Sequence, residues 1–457
     1  MDAARVIVVG TGPAGVRAAE TLVRAGLRPI VLDEGRSDGG RIYLRQPAQF
    51  TRTYEQLYGT EAGAARALHA SFESLRGAID FRPETLAWNL VERRLYAHRA
   101  GRSETLPFDA LIVCAGATDR LLPLPGWELP GVYSLGGAQI ALKSQACAIG
   151  RRVALVGTGP LLYLLASQYV QAGAGLAAVL DTSRWSQRIG ALGALLAGRG
   201  TLLKGAGLEF ALRRAGVRVQ RGVQQIEICG DPTGGVAGLA WRDARGTARR
   251  IECDAVALGF HLRPETQLAD LARCEFAFDA ATQLWLPRID AEGRSSVAGI
   301  YLAGDGARVR GARAAELSGA LAAAAALADL GLSPAPMPRA AMLGELRRLE
   351  RFAAGLARAF PFPAQLAAGA DDATVVCRCE VITAGELRSA CTEGGAREPN
   401  RAKAFTRVGM GRCQGRYCGD ASAAIVAAAT GSSREAVGRL RSQAPVKPIP
   451  IATDATP

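Results

Sequence analysis

Arg5-Val-Ile-Val-Val9 is a short apolar run that stops at Gly10-Thr-Gly-Pro-Ala-Gly15. A run bounded in this way reads as a buried strand entering a turn. Val16 to Ala25 has helical composition and Gly26 ends it, as glycine does just past a helix C-terminus. A second apolar run, Leu27 to Leu32, closes in Asp33-Glu34. Strand, turn, helix and strand follow within about thirty residues, with an acid 23 positions after the first glycine, which predicts a dinucleotide-binding unit. The pattern returns at Arg152 to Val156, Gly157-Thr-Gly-Pro-Leu-Leu162, a helix to about Ala172, and Leu176 to Leu180 before Asp181. Three more apolar strands, Phe108 to Ala117, Cys253 to Gly259 and Gly299 to Gly306, end in small residues, and Ala314 to Ala328 reads as a buried helix. Ser333-Pro-Ala-Pro-Met-Pro338 is an extended linker, and an Arg/Glu/Leu-rich helix follows from about Ala341 to Ala359.

Each residue of the first turn has a physical task. Gly10 permits the tight turn, Gly12 lets the backbone approach a pyrophosphate, and Gly15 lets the helix pack on the strand. Pro13 and Ala14 of the turn are expected to border the same ligand, and the N-terminal N–H groups and dipole of the helix that follows favour an anion. Asp33 is placed to accept hydrogen bonds from a ribose, with Glu34 as the neighbouring alternative. In the second unit Leu162 replaces the third glycine, and Asp181 lies one position beyond the spacing of the first. That unit is either a nucleotide site with altered contacts or a retained fold whose site is lost.

The 457 residues call for more than one core. Lys plus Arg is 55 against 42 acids, but only four bases are Lys, and the arginines are scattered among few aromatics. A nucleic-acid partner is therefore not expected. No apolar window is long enough to predict a membrane span. The opening strand leads straight into the Gly-rich turn, so no signal peptide is read and a cytoplasmic protein is expected.

Of ten cysteines, Cys114, Cys147, Cys229, Cys253, Cys274 and Cys391 are scattered and read as buried small residues. The other four form two close pairs, Cys377-Arg-Cys379 and, 33 residues later, Cys413-Gln-Gly-Arg-Tyr-Cys418. Two such pairs supply four thiolates to one metal centre. Thr383-Ala-Gly-Glu386 is a capping box that starts a helix after the first pair, and a second helix starts at Cys418. Helix N-termini with Arg378, Arg412 and Arg416 are expected to favour anionic sulfurs. Spacing alone leaves zinc open; the CxC and Cx4C pattern beside a flavin-like fold favours [2Fe–2S]. The His residues, His69, His98 and His261, form no recognisable triad, and no substrate base is nominated.

With these motifs in place, the chain resembles the flavoprotein subunit of heteromeric, dye-linked amino-acid and opine dehydrogenases. The likeness is carried by Val9-Gly-Thr-Gly-Pro-Ala-Gly15, Leu32-Asp-Glu-Gly35, Gly39-Gly-Arg-Ile-Tyr43, Gly157-Thr-Gly-Pro-Leu-Leu-Tyr-Leu164, Ala303-Gly-Asp-Gly306, Gly409 to Cys418, and Ala444-Pro-Val-Lys-Pro-Ile-Pro450. It implies an α/β fold with two dinucleotide-binding, glutathione-reductase-like domains and a small helical C-terminal module similar to bacterioferritin-associated ferredoxin. The boundaries expected are 1–125 and 266–330 for the first nucleotide domain, 126–265 for a degenerate NAD(P)H-like domain, 331–372 for the linker and helix, 373–440 for the cluster module, and 441–457 for a Pro-rich tail. The resemblance implies FAD in the first site, with ATP or ADP there in some relatives and FMN at a subunit interface. Gly40, Arg41, Ala115, Gly116, Gly304 and an exposed Asp305 are expected to line the same ligand; relatives usually carry Gln at the position of Arg41. It implies a [2Fe–2S] cluster on Cys377, Cys379, Cys413 and Cys418. The expected partner is a D-amino-acid-oxidase-like catalytic subunit, with room for a further small iron–sulfur subunit. The function implied is electron relay from that partner, acting on D-hydroxyproline, proline or an opine. Two alternatives stand beside it: a self-contained NAD(P)H-dependent FAD and [2Fe–2S] reductase, and a nucleotide-binding scaffold without redox chemistry of its own.

Overall fold

A computed structural model describes residues 4–450. Val6–Val9 is the middle strand of a five-stranded parallel sheet ordered Ile300–Leu302, Ala110–Val113, Val6–Val9, Ile30–Leu32 and Asp80–Arg82. Parallel strands are covered on both faces, which is why these segments are continuous apolar runs. Helix Pro13–Arg24 packs on the Ala-rich helix Ala312–Asp329 so closely that a Cβ on Gly319 would stand 2.0 Å from the Ala14 carbonyl oxygen. Small side chains there let two helices and a sheet edge meet at backbone distance.

A second parallel sheet holds Val219–Arg221, Leu176–Asp181, Val153–Thr158, Ala255–Phe260 and Val132–Ser134 in that order. Two antiparallel three-stranded sheets, Leu86 to Pro107 and Gln224 to Glu252, flank the two halves. The chain passes between the halves twice, and the two passages pair antiparallel as Ala117–Asp119 with Leu262–Pro264.

The C-terminal module consists of the hairpin Val375–Cys377 and Ile382–Thr383 with helices Ala384–Thr392, Pro399–Thr406 and Gly419–Thr430. The capping box at Thr383 and Glu386 is formed. Its core is continuous with the second domain and the crossover: Leu121, Leu122 and Trp127 share one apolar cluster with Leu387, Ile425 and Val426. Trp127 Nε1 donates to the Val375 carbonyl at 2.5 Å. Linker helix Arg339–Ala359 lies on the second domain, with Phe352, Ala359 and Phe360 in one core with Leu162, Tyr163 and Leu195. The described part of the tail is docked: Val446 N donates to the Trp88 carbonyl, and the Val446 carbonyl accepts from Arg416. Tail residues 451–457 lie outside the described residues.

Among the described residues no helix is long and apolar enough to cross a membrane. Cys114, Cys253, Cys274 and Cys391 are buried as small core residues, whereas Cys147 is exposed just past helix Leu135–Ser144 and Cys229 is half-buried. The expectation of burial fails for those two because each lies at a domain surface rather than in a central strand.

Candidate functional site

The first Gly-rich turn is built by close backbone approaches. Gly10 has φ +98°, and a Cβ there would stand 2.3 Å from the Cys114 carbonyl oxygen. A Cβ on Gly15 would stand 1.7 Å from the Gly10 carbonyl oxygen, whereas one on Gly12 would meet only Gly40 Cα at 3.7 Å. Gly10 and Gly15 are therefore demanded by packing, whereas Gly12 faces the open space of a cavity. Helix Pro13–Arg24 begins at Gly12 with no side-chain cap, and an uncapped N-terminus presents backbone N–H groups to an anion.

Asp33 stands at the end of the second strand. Its Oδ2 accepts from the Thr11 amide and hydroxyl, both at 2.6 Å, and Oδ1 from the Gly35 amide at 2.6 Å. A carboxylate offers about four acceptor sites, so one site on Oδ1 is free for a ribose hydroxyl. Burial pushes the Asp33 carboxyl up, against the hydrogen bonds from Thr11 and Gly35. Glu34 is exposed and paired with Lys447 of the tail.

Asp305 corrects an expectation: it is not exposed but half-buried, and burial pushes its carboxyl up. Its Oδ1 accepts from the amides of Arg310 (2.8 Å) and Gly311 (3.1 Å), which folds the loop back toward the turn. Gly304 (φ +69°) has no room for a side chain, because a Cβ would meet the Ala14 Cβ at 2.7 Å. Ala115 and Gly116 lie against Gly306, whose Cβ would stand 3.0 Å from the Gly116 amide nitrogen. Gly40 brings its backbone against Gly12, and Arg41 is exposed near the Asp119 carboxylate and the Tyr417 phenol.

The second unit is different. Leu162 is fully buried in the domain core. Asp181 is also fully buried and receives four donors: Tyr163 Oη (2.6 Å), Ser183 N and Oγ (2.8 Å each) and Arg188 Nη2 (2.6 Å). Three of these donors crowd Oδ2, and because the whole carboxylate is buried neither oxygen is open to a ribose. The Arg188 guanidinium lies 4.6 Å from the Phe360 ring centroid, and Phe360 contributes its carbonyl to His261 Nε2. The end of the linker helix therefore stands over the second turn.

The cysteine pairs converge. The Cys418 thiol lies against those of Cys377 and Cys413, and Cys379 lies against Cys413. Hydrogen bonding from Cys418, helped by backbone amides, pulls the Cys377 and Cys413 thiols down to about 6 and about 5, and the same contacts push Cys418 up. A Cβ on Gly411 would stand 2.3 Å from the Cys379 Cβ, so only glycine lets this loop wrap the sulfurs. The thiols touch pairwise, and among the described residues no three His, Cys, Asp or Glu groups are already held around a common point. Arg416 does not aim at the sulfurs as expected: its Nε pairs with Glu265 at 2.6 Å. Arg378 stacks over Trp127, 5.2 Å from a ring centroid.

One cavity of about 2430 Å³ joins these features, with Gly10, Gly12, Asp33 and Asp305 on one side and the four paired cysteines on the other. Single small-molecule sites run to ~300–1,000 Å³, so this volume accommodates more than one ligand. Sequence reasoning misses Lys143, which is buried against the same cavity and donates to the Ile42 carbonyl at 3.1 Å. Burial holds its amine down to about 8. A signal for it does exist: in an Arg-dominated chain, three of the four lysines (Lys143, Lys204 and Lys447) line this cavity.

Residues 4–325 match the pyridine nucleotide-disulphide oxidoreductase family, and residues 375–428 match the BFD-like [2Fe-2S] binding domain. An opine oxidase subunit of Agrobacterium tumefaciens (strain Ach5) is 37% identical, covering 98% of this chain and 90% of its own. Hydrogen cyanide synthase subunit HcnB of Pseudomonas aeruginosa is 31% identical, covering 98% and 97%. In fold, L-proline dehydrogenase from P. horikoshii superposes with a TM-score of 0.69 at 17% identity, covering 99% of this chain and 80% of that one. Thioredoxin reductase from T. acidophilum superposes at 0.52 and 18% identity, over 72% and 99%. The chain thus belongs to the pyridine nucleotide-disulphide oxidoreductase family, in the group of that opine oxidase subunit, and joins an FAD-binding oxidoreductase fold to a BFD-like [2Fe-2S] domain.

Proposed function

We propose that this chain is the electron-transfer flavoprotein and iron–sulfur subunit of a heteromeric amine dehydrogenase. It would relay electrons from a D-amino-acid-oxidase-like partner, acting on D-hydroxyproline, proline or an opine, to an acceptor. The observation that carries this reading is the single cavity bordered both by the Gly-rich turn and by four convergent thiols. Relatives named as subunits of opine oxidase and hydrogen cyanide synthase support the heteromeric part.

FAD in the first site supplies two-electron chemistry and a [2Fe–2S] cluster one-electron chemistry, while the protein supplies position and field. The residues fit both groups. Gly12 leaves clear the space in front of an uncapped helix start, where a pyrophosphate is stabilised by N–H groups and dipole. Asp33 keeps one acceptor site for the ribose, with Glu34 held aside by Lys447. Gly40, Arg41, Ala115, Gly116, Gly304 and Asp305 border the rest of the ligand. Cys377, Cys379, Cys413 and Cys418 would hold the cluster; Cys418 opens helix Gly419–Thr430, whose dipole favours thiolate.

The histidines do not offer a substrate base. His69 is bonded to Tyr54 and the Tyr43 carbonyl, and His98 to Ser103. His261 is bonded to the Phe360 carbonyl, and burial holds its imidazole down to about 4. This reading assigns amine oxidation to the partner. The fully buried Asp181 carboxylate argues against NAD(P)H as the electron source.

Anaerobic NADH titration of the cofactor-loaded chain, followed from about 350 to 600 nm, tests this. Chromophores unmoved by NADH but bleached by dithionite are the expected result. Rapid bleaching by NADH would make the chain a pyridine-nucleotide reductase, and nucleotide without bound flavin would leave only the scaffold.

A further inference from the structure

Helices Trp185–Gly190, Leu192–Leu195 and Arg199–Arg214 follow the Asp181 strand and flank the cavity. Only Leu202, Leu208, Glu209 and Leu212 of the long helix turn inward. Trp185, Ile189, Leu192, Leu196, Leu203 and Phe210 stand exposed, from 46% at Leu196 to 72% at Leu203. With ~150–250 Å² for a fully exposed large side chain, they present roughly 600–700 Å² of apolar surface. Summed along the segment, that approaches the ~800 Å² each partner gives to a standard interface.

Two further features define what fits. Gly190, Gly193, Gly200, Gly205 and Gly207 lie in the same segment, and a Cβ on any of them would meet nothing within 4 Å. No intrachain contact requires these glycines, which are poor helix formers. Gly205 and Gly207 line the cavity, and Gly190, Gly193 and Gly200 leave backbone open for another chain to approach closely. The rim is basic: Arg184, Arg199, Arg213 and Arg214 are exposed, and among the described residues none has a carboxylate partner. The one acid in the segment, Glu209, is turned inward onto Arg188 and Arg221.

We infer that the face formed by residues 185–214 is the docking surface for the catalytic subunit, which would present an apolar patch rimmed by Asp and Glu. This rests on the heteromeric reading above and gives that reading a place. Trp185, Ile189 and Leu192 both belong to the face and line the cavity, so a subunit seated there would also cover the cavity beside the redox site. Basic amphipathic helices also suit an anionic membrane surface. An acyl layer, however, has no use for the clear glycine positions at Gly190, Gly193 and Gly200.

The test is co-purification and binding of the cofactor-loaded chain with a D-amino-acid-oxidase-like subunit from the same source, compared with Leu203→Glu/Phe210→Glu. Neither substituted residue lines the cavity. The expected result is a wild-type complex that protects residues 185–214 from hydrogen exchange. The variant should bind at least about 100-fold more weakly, with unchanged flavin and iron–sulfur absorbance. A complex of unchanged affinity with the variant would overturn the surface while leaving the heteromeric reading standing. Wild-type chain that forms no complex would overturn that reading and this assignment together. Sedimentation of the chain alone with phosphatidylserine/phosphatidylcholine vesicles, or as a salt-independent dimer lost in the variant, would assign the face to a membrane or to self-association instead.

Discussion

Arg120 is a fully buried arginine in the crossover, and it holds the cluster module to the rest of the chain. Its Nε pairs with Asp420 at 2.7 Å, in the first turn of the helix that begins at Cys418. Nη1 and Nη2 donate to the carbonyls of Thr282 (2.7 Å) and Gln283 (2.9 Å), and the guanidinium lies 3.3 Å from the Phe362 ring centroid. Burial lowers the Arg120 guanidinium to about 10 despite Asp420, which shows how far it is withdrawn from water. Arg120→Met keeps the stem and deletes the charge. Removing one member of a buried pair costs ~3–5 kcal/mol, and Arg434 at 3.9 Å from Asp420 recovers part of it. The low end, about 3 kcal/mol, corresponds to a roughly 150-fold larger population of the opened state. Hydrogen exchange of the 375–383 hairpin and helix Gly419–Thr430 reads this directly. Adding Asp420→Leu should restore most of the protection, because the uncompensated charge is then gone. A change below about fivefold in the single variant, or a double variant no better than the single, would refute the reasoning.

The two glycines of the first turn should separate stability from binding. Gly15→Ala drives a methyl into the Gly10 carbonyl and should lower Tm and abolish bound nucleotide, whereas Gly12→Ala should keep Tm within a few degrees and lose nucleotide, as thermal melts with flavin assay will show. Cys377→Ser and Cys413→Ser should lose iron, sulfide and visible cluster absorbance but keep flavin, and Cys147→Ser should change neither, as iron and acid-labile sulfide analysis will check. Burial opposes ionisation of Glu265, Asp270 and Asp420, but their partners Arg416, Arg439 and Arg120 outweigh it and hold all three carboxyls below their ordinary values. A depressed carboxyl stabilises above its ordinary pKa and loses that contribution as pH falls toward its folded value. Melting temperature should therefore drop from about pH 5 to pH 3.5 more steeply in the wild type than in Glu265→Gln/Asp420→Asn, and parallel curves would count against module docking by these pairs.

Local pattern was enough for the two parallel cores. Continuous apolar strands, the glycines of the first turn and an acid at fixed spacing are consequences of short-range geometry, and the capping box at Thr383 likewise forms where its residues stand. Spacing also singles out which four of ten cysteines form pairs, because ligand separation within each pair is local. What sequence left open is what depends on distant partners. Asp181 has an unremarkable place in the sequence, and only the fold brings Tyr163, Ser183 and Arg188 onto it and seats Phe360 against Arg188. Arg416 lies beside two cluster cysteines, yet Glu265, 151 residues away, takes its charge. Asp305 reads as a strand-end acid, but the loop that follows curls its amides back onto it. The joining of the first Gly-rich turn and the four paired cysteines in one cavity is also a tertiary result. It follows from the double crossover, where Arg120, Trp127, Arg263 and Gln267 bind the cluster module across 147 to 300 residues of chain, a separation at which no local periodicity carries information.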